Sequence, residues 1–183
     1  MIKKEQFRNF FWERKVVKTL SKNGRFRRST NLNSASQVGI YGVYENAEQF
    51  DSVIKFSEKL QQQGKVVKTL IYLPTPLPTP QPVRKIPPSM SVLRPSQISF
   101  AKFPLKTAVR AWHFIYEDFD ILFDTSLNFH HMDISVMSAS NARFKTGKAG
   151  EWNSRVNDFS ISFKDNISQE EMLQIMQEYL KIF

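Results

Sequence analysis

The chain has 183 residues, no cysteine and a formal net charge of +9. That length fits one domain, or one domain and an arm, and a domain of this size hides roughly 70% of the surface its unfolded chain exposes, so it needs no covalent staples. Disulfides, thiolate metal sites and a cysteine nucleophile are excluded, and apolar runs of a handful of residues fall short of the roughly 20 that a spanning helix needs.

Residues 3–21 read as a helix. Phe7, Phe10, Phe11, Val17 and Leu20 fall near one stripe at 3.6-residue spacing, with Val16 beside it. Glu5, Arg8, Glu13 and Arg14 interrupt any apolar signal core, so the expected setting is the cytoplasm. Asn23-Gly24 supplies a stop, and Arg25-Phe26-Arg27-Arg28 follows as a basic connector. Residues 1–28 hold ten basic and two acidic side chains, whereas the other 155 are nearly balanced. The expected organisation is therefore a basic helical arm over residues 1–30 and a single α/β domain over 31–183.

Gln37–Tyr44 reads as the first strand. Asn46 caps a helix running to about Gln63, with Phe50, Val53, Ile54, Ser57 and Leu60 inward, and Gly64 ends it. Lys65–Leu73 is the second strand, and the β–α–β unit implies a parallel pair. All nine prolines then fall between Pro74 and Pro104. Residues 74–95 read as an extended Pro-rich loop, because proline lacks the N–H that a ladder requires. Ser96–Phe103 reads as a short strand and Thr107–Glu117 as a helix with Val109, Trp112 and Tyr116 inward. Phe119–Asp124 is a short apolar strand ending in a carboxylate. A helix at about Met132–Ser140, short strands at Ala142–Thr146 and Val156–Phe163, and a helix at Ile167–Phe183 complete the chain. Ser168 and Glu171 form the capping-box pattern of the last helix. Alternating strands and helices predict an α/β fold with an open, mostly parallel, three-layer sheet of Rossmann-like or flavodoxin-like kind.

Three stretches carry a resemblance. They are Gln37-Val-Gly-Ile-Tyr-Gly with Gly64-Lys-Val-Val-Lys-Thr-Leu, then Phe119-Asp-Ile-Leu-Phe-Asp-Thr-Ser126, and Ser140-Asn-Ala-Arg-Phe-Lys-Thr-Gly147. With the basic first helix and the terminal helix, they resemble an uncharacterised bacterial family, mainly from Bacteroidetes. The resemblance implies an α/β fold and a cytoplasmic setting and carries no activity; the proline segment departs from it.

Two regions are candidates for function. In the basic stretch, Lys3, Lys4, Arg8, Arg14, Lys15, Lys18, Arg25, Arg27 and Arg28 could meet phosphates while Phe11, Trp12 or Phe26 stack on bases. The same helix could instead lie on an anionic membrane surface or a protein partner, or dock on the domain with its charges in solvent. Asp124, Thr125 and Ser126 end a buried strand, where open α/β sheets hold ligands, and His130 follows; the plainer reading is that Asp124 or Ser126 caps the following turn and helix. Adjacent His130 and His131 with Asp133 match no recognised metal spacing. Lys145-Thr146-Gly147-Lys148 lacks the upstream glycine of a phosphate loop, and Gly39 and Gly42 read as room for close helix–sheet packing.

The expected function is a non-enzymatic binding protein that meets RNA, or a ribonucleoprotein particle such as the ribosome, through the basic stretch. The alternatives are a small anionic-ligand or nucleotide site at Asp124, which would make an enzyme possible, and a membrane or protein adaptor. No cofactor is implied.

Overall fold

A computed structural model describes residues 4–74, 87–97, 109–164 and 166–182, with side chains from Trp12 onward and that of Arg110 excepted. Six strands, β1 (Gln37–Val43), β2 (Val66–Tyr72), β3 (Met90–Leu93), β4 (Ile121–Asp124), β5 (Phe144–Lys148) and β6 (Phe159–Ile161), form one sheet in the order β3-β2-β1-β4-β5-β6. Every neighbouring pair is parallel. The order reverses between β1 and β4, where Val38 stands beside Ile121 and Tyr41 beside Asp124. It is the order of doubly wound dinucleotide-binding sheets.

Helices cover both faces. On one side, α2 (Ala47–Gln62) and α6 (Gln169–Ile182) pack Val53, Phe56, Leu60, Met172, Met176 and Leu180 onto Val38, Ile40 and Phe123. Asn46 accepts from the N–H of Gln49 at 2.9 Å and Gly64 leaves the helix at φ +80°, as their residue types predict. Ser168 accepts from the N–H of Glu171 at 3.2 Å at the start of α6. On the other side, α3 (Val109–Ile115), α4 (His131–Ala139) and the single turn α5 (Asn153–Val156) cover Tyr41, Leu70 and Leu122.

The first helix, α1 (Lys4–Lys22), is a further layer. From Trp12 onward it lies on α4 and so is not a projecting arm there. Val16 is fully buried, the Trp12 indole donates to Ser135 Oγ at 3.2 Å, and the Asn23 amide donates to the carbonyls of Ser138 and Ser140 at 2.9 Å each. The expected stripe is rotated by one residue: Val17 is 54% exposed while Val16 faces in. Covered by the sheet below and by α1 above, α4 is buried at every position from Met132 to Ala139.

Several local expectations give way. The third strand is Met90–Leu93, inside the stretch read as loop; Pro95–Gln97 forms a 3-10 turn and residues 98–103 lie outside those described. As an edge strand it tolerates flanking prolines, which cost ladder bonds only within the sheet interior. Helix α3 buries Ala111, Phe114 and Ile115, so Val109 and Tyr116 face out, 66% and 45% exposed. Strand β5 runs through Gly147 to Lys148, and the last strand, expected from Val156, starts at Phe159 because Val156 closes the helical turn Asn153–Val156.

Gly39 and Gly42 make room within the sheet and not for a helix. A Cβ on Gly39 would stand 2.7 Å from the Phe119 ring and 2.9 Å from Leu122; one on Gly42 would collide with the Tyr44 hydroxyl and with Thr125 Oγ1. Gly42→Ala is therefore expected to lower stability by about 1–3 kcal/mol through overpacking, read as a lower urea midpoint at unchanged slope. An unchanged midpoint would show that Tyr44 can swing away.

Candidate functional site

Two places concentrate polar and charged side chains, at opposite ends of the sheet. The first is the carboxyl end of β1 and β4, where the strand order reverses. Asp124, Thr125 and Ser126 meet there as the sequence suggests, all buried. Asp124 Oδ1 accepts from the N–H of Ser126 at 3.1 Å, an Asx turn, and Asn153 donates to its Oδ2 at 3.3 Å. Ser126 Oγ accepts from the N–H of Val43 and donates to Asp133 Oδ1, both at 3.0 Å. Thr125 Oγ1 donates to the carbonyl of Tyr41 at 2.9 Å and meets the Tyr44 hydroxyl.

The helix that follows is capped by neither Asp124 nor Ser126. His130 is its N-cap: His130 Nδ1 accepts from the N–H of Met132 at 3.1 Å, and Asp133 Oδ2 accepts from the N–H of His130 at 2.9 Å. A capping histidine paired with an aspartate falls outside the usual Ser/Thr…Glu/Gln signature, which is why residue type did not reveal it.

Two carboxyls thus lie buried near each other. Burial pushes Asp124 up to about 6. Burial and then the Asp124 charge push Asp133 well above the ordinary carboxylate range. Burial and the same two carboxylates raise the Tyr41 phenol, whose hydroxyl sits beside Asp133 without a well-formed hydrogen bond. Burial, and next the proximity of His131, lowers His130.

Above this network is a crevice of about 430 Å³ whose floor includes Ser126 and Asn153, with Lys148 and Trp152 on its walls. Lys148 is turned to the carbonyl of Leu127 at 3.1 Å. The usual phosphate position of such a sheet is occupied by the chain itself. Asn46 takes the N–H of Gln49, Glu45 and Glu48 bring negative charge to that helix start, and Asn128 bridges to Glu45 at 3.2 Å. Among the described residues, no group of three or more His, Asp or Glu side chains could hold a metal ion.

The second place is the amino end of β4 and β5. A groove of about 1190 Å³ runs between α1 with its connector and the outer side of α3. Among the described residues, Lys15, Lys18, Lys22, Arg28 and Arg143 line it, against a single carboxylate, Asp118. Lys18, Lys22 and Arg28 are exposed. Aromatic rings stand on both walls. Phe26 is 74% exposed, and on the α3 side Tyr116 packs against Trp112 at a tilt of 47°, with ring centroids 4.3 Å apart.

The predicted cations divide by role. Lys15, Lys18 and Arg28 line this groove, and Arg14 lines a shallower one on the other flank of α1. Lys4 and Arg8 belong to the first turns of α1, and Lys3 lies outside the described residues. Arg27 is open to solvent and 3.9 Å from Asp158. Arg25 is an internal clamp: its guanidinium holds both oxygens of Asp158 at 2.6 and 2.8 Å and the carbonyls of Ala142 and Arg143 at 3.0 Å each, with the side chain 4% exposed. Nearby, Lys145 is buried with its ammonium on the carbonyl of Met137 at 2.5 Å, and burial and then Arg25 lower its pKa well below the ordinary lysine value. Lys22, Trp112, Tyr116 and Arg143 join the groove without having been singled out from sequence. Trp112 and Tyr116 read as core residues in the sequence; Ala111, Phe114 and Ile115 take the place on the sheet and leave them to the groove.

The chain is a doubly wound α/β protein whose carboxyl sheet end holds a buried polar network under a small crevice and whose amino end carries a basic, aromatic groove. It belongs to a family of unknown function, DUF6913, whose model matches residues 8–183. The match takes in most of α1 as well as the sheet. No match was found among curated proteins or among solved structures. Among the described residues no helix is long and apolar enough to cross a membrane.

Proposed function

We propose that the protein binds RNA, as a component of or visitor to a ribonucleoprotein particle such as the ribosome, through the groove between α1 and α3. The observation that supports this reading is the groove's composition: Lys18, Lys22 and Arg28 face solvent in a concavity with one carboxylate among the described residues, and its walls carry aromatic rings. Clustered cations release counterions from phosphates, and rings give bases a stacking surface. The crevice over Ser126 favours a small anionic ligand less, because two buried carboxyls underlie it and its lysine already holds a carbonyl.

Fluorescence anisotropy with a mixed-sequence RNA across a salt series tests the proposal. Binding should weaken linearly in log–log form as salt rises, and the double charge reversal Lys18→Glu with Lys22→Glu should weaken it at least about tenfold and flatten the slope. Binding to anionic lipid vesicles in place of RNA, or RNA binding indifferent to the reversal, would overturn it.

A further inference from the structure

We infer that the groove takes single-stranded RNA with its bases stacked on Phe26 and Tyr116, an inference that rests on the RNA reading and narrows it. The connector that presents Phe26 is pinned on both sides of it. Arg25 is clamped to Asp158 and two carbonyls, and the N–H of Arg28 donates to the carbonyl of Arg143 at 3.1 Å. A phenylalanine held out 74% exposed between two anchor points contributes little to the core. Single exposed apolar residues are common on protein surfaces and by themselves mean nothing. Here a second ring, Tyr116, lines the same groove, 45% exposed and backed by Trp112.

Cations alone would serve a duplex as well as a single strand, since both present phosphates. Rings would not. In an A-form duplex the bases stack on one another and their faces are closed, so exposed aromatics gain nothing; the bases of a single strand can be splayed onto them. The cations Lys18 and Lys22 line the wall that also presents Phe26, which lets phosphates follow that wall while bases turn toward the rings. Pinning the connector lowers the ordering cost of binding.

The test compares a 12-nucleotide RNA, single-stranded and as its duplex, by anisotropy at one salt concentration, with the full chain and the variants Phe26→Ala, Tyr116→Ala and Tyr116→Trp. The expected result is tighter binding of the single strand. Each alanine should weaken single-strand binding about tenfold with duplex binding and salt slope unchanged, and Tyr116→Trp should retain it. Both alanine sites are on the surface, and Phe26→Ala stands as the second measurement should Tyr116→Ala disturb α3. Duplex binding as tight as single-strand binding, with both alanines silent, overturns the inference and leaves the RNA reading in place. Absence of binding to either form overturns both.

Discussion

Replacing Arg25 with alanine is expected to lower folding stability by about 3–5 kcal/mol, the range for breaking a buried ion pair from one side, whereas Arg27→Ala and Arg28→Ala should stay within about 0.5 kcal/mol. The three residues are arginines within four positions, in a run whose only other member is Phe26. Their surroundings separate them. Arg25 satisfies both oxygens of Asp158 and two backbone carbonyls, while Arg27 is 71% exposed and Arg28 is open to solvent. Asp158 Oδ2 also accepts from the N–H of Lys145 at 2.9 Å, so losing Arg25 strands a carboxylate at the start of β5. Urea midpoints of the three variants check this; equal midpoints would refute the clamp. The RNA-binding pattern should run the other way for Arg28→Ala, which keeps the fold and weakens the complex.

The second large effect concerns pH. Asp124, at about 6 in the fold against about 3.9 for a free aspartate, keeps a proton that the unfolded chain has released. Between about pH 4 and 6 the native state therefore binds more protons, and stability falls as pH rises through that window, levelling once both states are ionised. The shift corresponds to about 3 kcal/mol at neutral pH. Asp133, pushed the same way, extends the decline upward. His130 opposes it: its folded pKa is lowered, so its contribution grows as pH rises toward the unfolded histidine value. Lys145, also lowered, acts in that opposing sense at higher pH. Comparing Asp124→Asn with the parent isolates the carboxyl. The amide oxygen keeps the Ser126 N–H, and Asn153 can turn its own oxygen toward the new NH₂. The variant should be more stable by about 1–3 kcal/mol at pH 7.5 and should show a flatter profile from pH 4.5 to 8. Parallel profiles for the two proteins would refute the assignment.

Features set by local chemistry were legible in the sequence. Asn46, Gly64 and Ser168 mark helix ends because caps and left-handed stops act within a turn. The alternation of strand and helix was enough for the parallel α/β class. What depended on tertiary neighbours was not legible. Met-Ser-Val-Leu at 90–93 is only four residues long and becomes a strand because β2 offers it an edge. In α3, size outweighed hydrophobicity, and Ala111 took the place against the sheet expected of Trp112. The docking of α1 had its signal in another helix. The segment Met132–Ala139 has serines where a surface helix would carry charges, and a helix without a polar face requires cover on all sides. Asp124 and Asp133 are nine positions apart, and only the packing of α4 back onto the sheet beside β1 makes them neighbours. For the groove, the sequence supplied the cations and one ring; the opposite wall, with Trp112, Tyr116 and Arg143, comes from residues more than eighty positions away.

The position of α1 ties occupancy of the groove to the integrity of the fold. This helix forms one wall of the groove and is also the roof of α4. A polyanion that bridges α1 and the α3 side would bind only while the roof is closed. Its binding free energy would then add to the free energy holding the layers together, growing with the logarithm of ligand concentration. Ligand and fourth layer would then form one linked equilibrium: conditions that loosen α1 from α4 would weaken such a complex even where every lysine and arginine is intact, and cutting the helix away would remove a structural layer together with the charge.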